Sequence, residues 1–200
     1  MAVENKANIV AVMGGSGSGK STFIKREILR LKPKRLIVFD VMHEYGEFGQ
    51  PIKFCRDLAT MAKATSFKAI FQPSSTNIKE VFDFVCKIAF ETGNVLLVVE
   101  ELNRVTEATR APPSWQDCTS RGRHKGMMIY GASQRPANVD KDFFSNATKI
   151  RSGRLNFAAD IKTLANVLKV KNADIDGLRP LEYIEREMSN GQISRGIIKF

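Results

Sequence analysis

The sequence predicts an α/β chain, a three-layer sandwich built on a mostly parallel sheet and finished by a C-terminal β-hairpin. Three observations carry this expectation. A glycine-rich GxxxxGKS loop sits between an apolar strand and a helix; short apolar runs then alternate with segments of helical period; and the last residues alternate around Asn-Gly.

Ile9-Val10-Ala11-Val12-Met13 reads as a buried strand, and Thr22 to Leu31 carries apolar residues at helical spacing. Between them, Gly14-Gly15-Ser16-Gly17-Ser18-Gly19-Lys20-Ser21-Thr22 satisfies the full phosphate-loop pattern. The glycines let the backbone turn its N–H groups inward, and the helix start adds its positive dipole end. In that pattern Lys20 reaches the terminal phosphates and Ser21 ligates magnesium.

Lys32-Pro33-Lys34 breaks the helix before a second strand, Arg35 to Asp40. His43 to Pro51 reads as loop, Leu58 to Lys63 as a short helix, and Phe67 to Phe71 as a third strand closed by Pro73 and the polar cluster Ser74-Ser75-Thr76-Asn77. Ile78, Val81, Phe82, Val85, Ile88 and Ala89 recur at helical spacing up to Gly93. Val95 to Val99 is a strand apolar on both faces, as in a covered parallel sheet. A helix from Ser114 to Arg121 leads through a basic loop to a strand at Met127 to Ser133. A further strand, Thr148 to Leu155, and a helix, Ala159 to Leu168, complete the alternation. Tyr183 to Met188 and Gln192 to Lys199 form the expected hairpin. A single domain over residues 1–200 is expected, with a core at about 8–157 and a helix and hairpin over about 158–200.

Two hundred residues can bury a core without staples. Cys55, Cys86 and Cys118, odd in number and without ligand spacing, read as reduced structural thiols. The longest apolar run, Val95 to Val99, is too short to span a bilayer. Met-Ala-Val-Glu-Asn-Lys at the start lacks the apolar core of a secretory signal, so a cytoplasmic protein is expected. The 31 Lys and Arg exceed the 21 Asp and Glu, for a net charge of +10, and the excess clusters at Arg121-Gly122-Arg123-His124-Lys125-Gly126 and at Lys149, Arg151 and Arg154. An anionic partner is the expectation.

A bound nucleotide needs a metal holder and a group to orient the attacking water, both at carboxyl ends of neighbouring strands. Glu100-Glu101, ending five apolar residues, forms a Walker B pattern in which Glu100 holds magnesium and Glu101 polarises the water. Gln134, at the end of the following strand, reads as a γ-phosphate sensor. Arg121 and Arg123 are the preferred candidates for an arginine supplied across a subunit interface, with Arg135, Arg151 and Arg154 as alternatives. Lys125 and Arg123 suit phosphate contacts; Phe143, Phe144 and Trp115 are expected in the core; and His43 and His124 have no catalytic or metal partner pattern.

Together, Gly14 to Thr22, Val38-Phe39-Asp40 with Glu44-Tyr45, Val95 to Glu101, Ser120-Arg121-Gly122-Arg123 and Ala132 to Pro136 resemble the FtsK/HerA superfamily of P-loop ATPases. The likeness is to the small genome-packaging ATPases of membrane-containing viruses such as tectiviruses and corticoviruses. It covers roughly residues 8 to 157, and the tail gives it little support. The first acid of the Walker B pattern is usually aspartate in that family, so Glu100 departs from it. The resemblance implies a RecA-like (ASCE) P-loop NTPase sandwich that binds ATP and Mg²⁺ between subunits of a ring, hexameric or pentameric, around double-stranded DNA. It also implies docking on portal or packaging-vertex membrane proteins, in the host cytoplasm or at the virion vertex. The competing readings are a small-molecule P-loop kinase and a nucleotide-dependent phage assembly or secretion factor.

Overall fold

The computed structural model describes residues 8–74 and 77–199. The expectations about the N-terminal residues 1–6 and about Ser75 and Thr76 lie outside them. Nine strands form one sheet: β1 (Asn8–Met13), β2 (Arg35–Phe39), β3 (Gln50–Ile52), β4 (Phe67–Phe71), β5 (Leu96–Val99), β6 (Met128–Ser133), β7 (Lys149–Gly153), β8 (Glu182–Glu187) and β9 (Ile193–Ile197). Among the described residues seven helices accompany them: α1 (Lys20–Leu31), α2 (Cys55–Met61), α3 (Ile78–Thr92), α4 (Pro113–Arg121), α5 (Lys141–Asn146), α6 (Ala158–Leu168) and α7 (Asn172–Asp176). The sheet order is β3-β4-β2-β5-β6-β1-β7-β8-β9. The pairs from β3 to β7 are parallel, while β8 and β9 continue the sheet antiparallel. The hairpin is therefore part of the main sheet.

The pleat sends alternate residues to opposite faces, and both faces are apolar along the central strands. Ile9, Ala11, Met13, Phe39, Leu97 and Val99 meet α2 to α7 on one side, through Leu58, Phe82, Trp115, Phe143, Leu164 and Ile175. Val10, Val12, Leu36, Val38, Val98 and Tyr130 meet Ile24 and Ile28 of α1 and the ring of Tyr45 on the other. The three layers are thus lopsided, with α1 the only helix on its face among the described residues. Ile24, Ile28 and Leu31 lie one turn apart on α1, which stops where Lys32 turns left-handed (φ 46°) and donates its N–H to Ile28 O.

The structure corrects several boundaries. The segment 43–51, expected as loop, holds a 3-10 turn at Gly46–Phe48 and the start of β3. Pro51 disguises this strand in the sequence; at a sheet edge its missing N–H costs no ladder bond. The helix expected at Leu58 to Lys63 begins at Cys55 and ends at Met61. Two short helices, α5 and α7, were not anticipated. The Asp140 carboxylate caps α5 by accepting Phe143 N–H at 2.8 Å and also accepts Trp115 Nε1–H at 3.1 Å. Trp115, Phe143 and Phe144 are core residues as expected, and the three cysteines are free, with Cys86 and Cys118 buried.

At Gly131 of β6 an added Cβ would lie 2.5 Å from Leu102 Cδ1 and 2.6 Å from Phe143 Cζ. Gly131→Ala is expected to cost about 1–3 kcal/mol by overpacking, read as a lower urea midpoint with an unchanged m-value.

Candidate functional site

The phosphate loop leaves the carboxyl end of β1 and enters α1. Its glycines are required sterically at two points. A Cβ on Gly14 would sit 2.5 Å from Ser18 Oγ, and one on Gly19, itself left-handed at φ 84°, would sit 2.5 Å from Ile198 Cδ1 at the end of the terminal hairpin. The loop is anchored on both sides, Gly14 N–H donating to Ser133 O (3.1 Å) at the end of β6 and Gly15 N–H to Arg154 O (2.7 Å) beyond β7. Lys20 curls back over the loop and donates from Nζ to Gly14 O (2.9 Å) and Gly15 O (3.1 Å). Burial lowers its pKa, against the pull of Glu101, Glu100 and Glu44. Ser18 Oγ is buried without a hydrogen-bond partner among the described residues.

Glu100 and Glu101 leave β5 beside this loop. Consecutive strand residues point to opposite faces, yet both carboxylates line the same cleft, of about 340 Å³, with Lys20, Ser21, Thr22 and Gln134. The backbone achieves this at Glu101, which is left-handed (φ 53°, ψ 52°) and opens the 3-10 turn Leu102–Arg104. Such a conformation in a non-glycine residue costs about 1–3 kcal/mol and is held by its surroundings. Gln134 Nε2 donates to Glu101 Oε1 at 2.8 Å, and Ser133 Oγ donates to Asn103 Oδ1 at 2.6 Å, so the end of β6 grips the turn twice.

Glu100 is almost fully buried. Its Oε1 accepts a short hydrogen bond from the hydroxyl of Tyr45, whose ring is wholly buried. Burial raises the Glu100 carboxyl to about 7, although Tyr45 and Lys20 pull it down. Burial and the neighbouring carboxylate together push the Tyr45 phenol far up, so it stays a donor. Tyr45 is placed by Asp40 at the end of β2, whose carboxylate accepts Glu44 N–H (2.9 Å), Tyr45 N–H (3.1 Å) and Gln72 Nε2–H (3.3 Å). In the sequence, Asp40 and Tyr45 stand out only through the family resemblance. The available signal was a carboxylate ending a buried strand four and five residues before the amides it caps.

The structure thus brings Gly14 to Thr22, Glu100, Glu101 and Gln134 to one end of the sheet. Arg121 and Arg123 lie at the other. They precede β6 at its amino end, about 20 Å away along the strand, so they do not reach their own loop. Arg121 pairs with Asp117, and Arg123 Nε donates to His124 Nε2. Two of the alternative arginines are engaged within the protomer. Arg151 is sandwiched between the rings of Phe23 and Tyr183 (3.8 and 3.7 Å) and bonded to Glu185, and Arg135 bonds the buried Asp160 at 2.9 Å. Arg154 is exposed beside the phosphate loop.

The Glu100 environment generates a pH prediction. Because its folded pKa of about 7 lies above the ordinary 4.5, folding favours the protonated form. Stability is therefore lost as pH rises between those values and stays low above them. Glu100→Gln, which mimics the protonated acid, should raise the melting temperature at pH 8 and have its gain vanish toward pH 4.5; a pH-independent shift would refute the assignment. Tyr45→Phe, which removes the donor and keeps the ring, should destabilise by about 1–3 kcal/mol at pH 8, measured in the same melts.

No family model matches the chain. Protein P9 of Pseudoalteromonas phage PM2 is 26% identical over 187 residues, covering 90% of this chain and 84% of that protein. The genome-packaging NTPase B204 of Sulfolobus turreted icosahedral virus 2, in complex with AMPPCP, superposes with a TM-score of 0.80 at 15% identity, over 96% of this chain and 98% of its own. The bacterial conjugative coupling protein TrwB superposes at 0.64 and 11% identity, over 96% of this chain and 85% of its own. The resemblance carried by the motifs is matched by these neighbours. A mostly parallel sheet with helices on both faces, the phosphate loop after its central strand and two carboxylates on the strand two positions away make this chain a P-loop NTPase in fold, of the kind seen in viral genome-packaging NTPases.

Proposed function

We propose that the chain is an ATP-hydrolysing motor that moves double-stranded DNA, serving to pack a viral genome into a preformed capsid. The observation that carries this reading is the convergence of Lys20, Ser21, Glu100, Glu101 and Gln134 in one cleft. The likeness to phage PM2 Protein P9 and to the packaging NTPase B204 supports the genome-packaging part. No helix among the described residues is long and apolar enough to cross a membrane.

In this reading the loop amides and Lys20 bind the triphosphate, Lys20 exchanging its bonds to Gly14 O and Gly15 O for phosphate oxygens. Ser21 and Glu100 supply oxygen donors that suit Mg²⁺, and both line the one cleft. Ser21 and Glu100 would hold that ion, which would supply positive charge against the charge developing on the phosphates. Glu100 ionises on giving up its proton, helped by Tyr45 and Lys20. Glu101 orients the attacking water and accepts its proton, and Gln134, bonded to Glu101, couples that carboxylate to the γ-phosphate through the end of β6. An arginine from the neighbouring subunit completes the charge, with Arg121 and Arg123 as the candidates presented by the far end of the molecule. A pentameric or hexameric ring of single-domain subunits, docked at a portal or packaging vertex, is the assembly that belongs to this reading. The adjacency of Glu101 and Gln134 favours activation of water over transfer to a small acceptor, as a kinase would need.

Lys20→Ala should abolish binding of a fluorescent ATP analogue. Glu101→Gln should keep that binding within about threefold while lowering kcat by about 10²-fold or more, the scale of a lost general base. Hydrolysis by Glu101→Gln at the wild-type rate would mean that another group activates the water.

A further inference from the structure

The two ends of the sheet differ in charge. The connections at the amino ends of the strands, residues 32–34, 62–66, 93–95, 122–127, 147–148, 169–171 and 188–192, contain seven Lys or Arg residues and no Asp or Glu. The opposite connections carry Asp40, Glu44, Glu47, Glu100, Glu101, Glu107 and Asp140 beside Lys53, Arg104, Arg110, Arg135, Arg154, Arg179 and Lys199, so that their charges balance. Five of the cations fall in a row, because the order β4-β2-β5-β6 places Lys63 before β4, Lys32 and Lys34 before β2, and Arg123 and Lys125 before β6. All five are exposed or half-buried, and none is in an ion pair among the described residues. Of the carboxylates near this end, Glu27 is paired with Arg30, Asp117 with Arg121 and Glu187 with Lys149, and Glu91 in the last turn of α3 is exposed.

The loops bearing the row are bonded to one another. Lys34 O accepts Ser66 Oγ–H and Phe67 N–H at 2.9 Å each. The Arg35 guanidinium donates to Thr65 O, Thr92 O and Gly93 O, and Asn94 N–H donates to Lys125 O at 2.7 Å. Backbone hydrogen bonds thus fix where each cation leaves the surface, so little ordering remains when a polyanion docks. Neighbouring strands lie about 4.8 Å apart. The row from β4 to β6 therefore spans about 14 Å, the rise of about four phosphates along one DNA strand.

We infer that this amino-end face, remote from the nucleotide cleft, is where the chain grips the phosphate backbone of duplex DNA, without reading bases. The inference rests on the DNA-motor reading above and adds where the DNA lies: against Lys63, Lys32, Lys34 and Lys125, with Arg123 left to the subunit interface, on the far side of the sheet from Glu101. Hydrolysis at one end then reaches the polymer through the parallel strands β2, β5 and β6, which join both ends.

The test compares wild type with Lys32→Gln/Lys34→Gln/Lys63→Gln/Lys125→Gln and with a control of equal charge loss at the opposite end, Lys53→Gln/Arg104→Gln/Arg110→Gln/Lys141→Gln. Anisotropy of a labelled random-sequence duplex is titrated with each protein in AMPPCP over a salt series, and binding to phosphatidylglycerol vesicles is measured in parallel. The amino-end variant should bind DNA at least about tenfold more weakly, with the slope of log K against log salt reduced by about 0.9 for each phosphate no longer neutralised. It should keep its melting temperature and basal ATPase, and the control should stay near wild type. Equal binding by the amino-end variant, or an equal loss in the control, overturns the location while leaving the motor reading intact. A wild type that binds vesicles but no duplex overturns both.

Discussion

A carboxylate removed from water has to be held, and the fold around the nucleotide cleft follows from how Glu100 is held. Its partner is the Tyr45 phenol, whose ionisation burial and the carboxylate itself oppose, and that phenol is positioned by the Asp40 carboxylate through two backbone amides. Asp40 and Glu100 end adjacent parallel strands, so the register of β2 against β5, Phe39 beside Val99, sets the distance the tyrosine must bridge. Strand register and loop cap therefore converge on one oxygen, and a slip in either would leave a buried charge unpaired, which costs several kcal/mol.

The neighbouring glutamate is held by different means. Glu100 is fixed by burial and hydrogen bonding, Glu101 by a strained backbone that a two-point grip from the end of β6 maintains. The two acids, adjacent in sequence, thereby acquire different environments. Burial pushes the acidity of Glu100 toward neutrality. Two carboxyl groups with separate environments are what a site needs when one is to sit by a cation and the other by a water.

Much of this was legible in the sequence because it is local. The phosphate loop is one contiguous stretch between a strand and a helix, and Glu100-Glu101 directly ends an apolar run, so position along the chain already implied position in space. Gln134 was legible through the strand that carries it. The role of Tyr45 was not, since it depends on a contact across 55 residues that no local pattern encodes. Proline hid β3, and the brevity of α5 and α7 left no period to read. The arginines were the hardest. Arg151 and Arg135 differ from Arg154 only by distant partners, Glu185 and Asp160, and composition is blind to such pairs.

The contact of Ile198 with Gly19 bears on biogenesis. The phosphate loop is synthesised about 180 residues ahead of the side chain that roofs its helix entrance. Translation order and assembly order are consequently opposed. This closure of the loop is complete only once β9 has paired with β8. Such long-range closure predicts slow maturation relative to a helical chain of equal length, with the final strand acting as the latch.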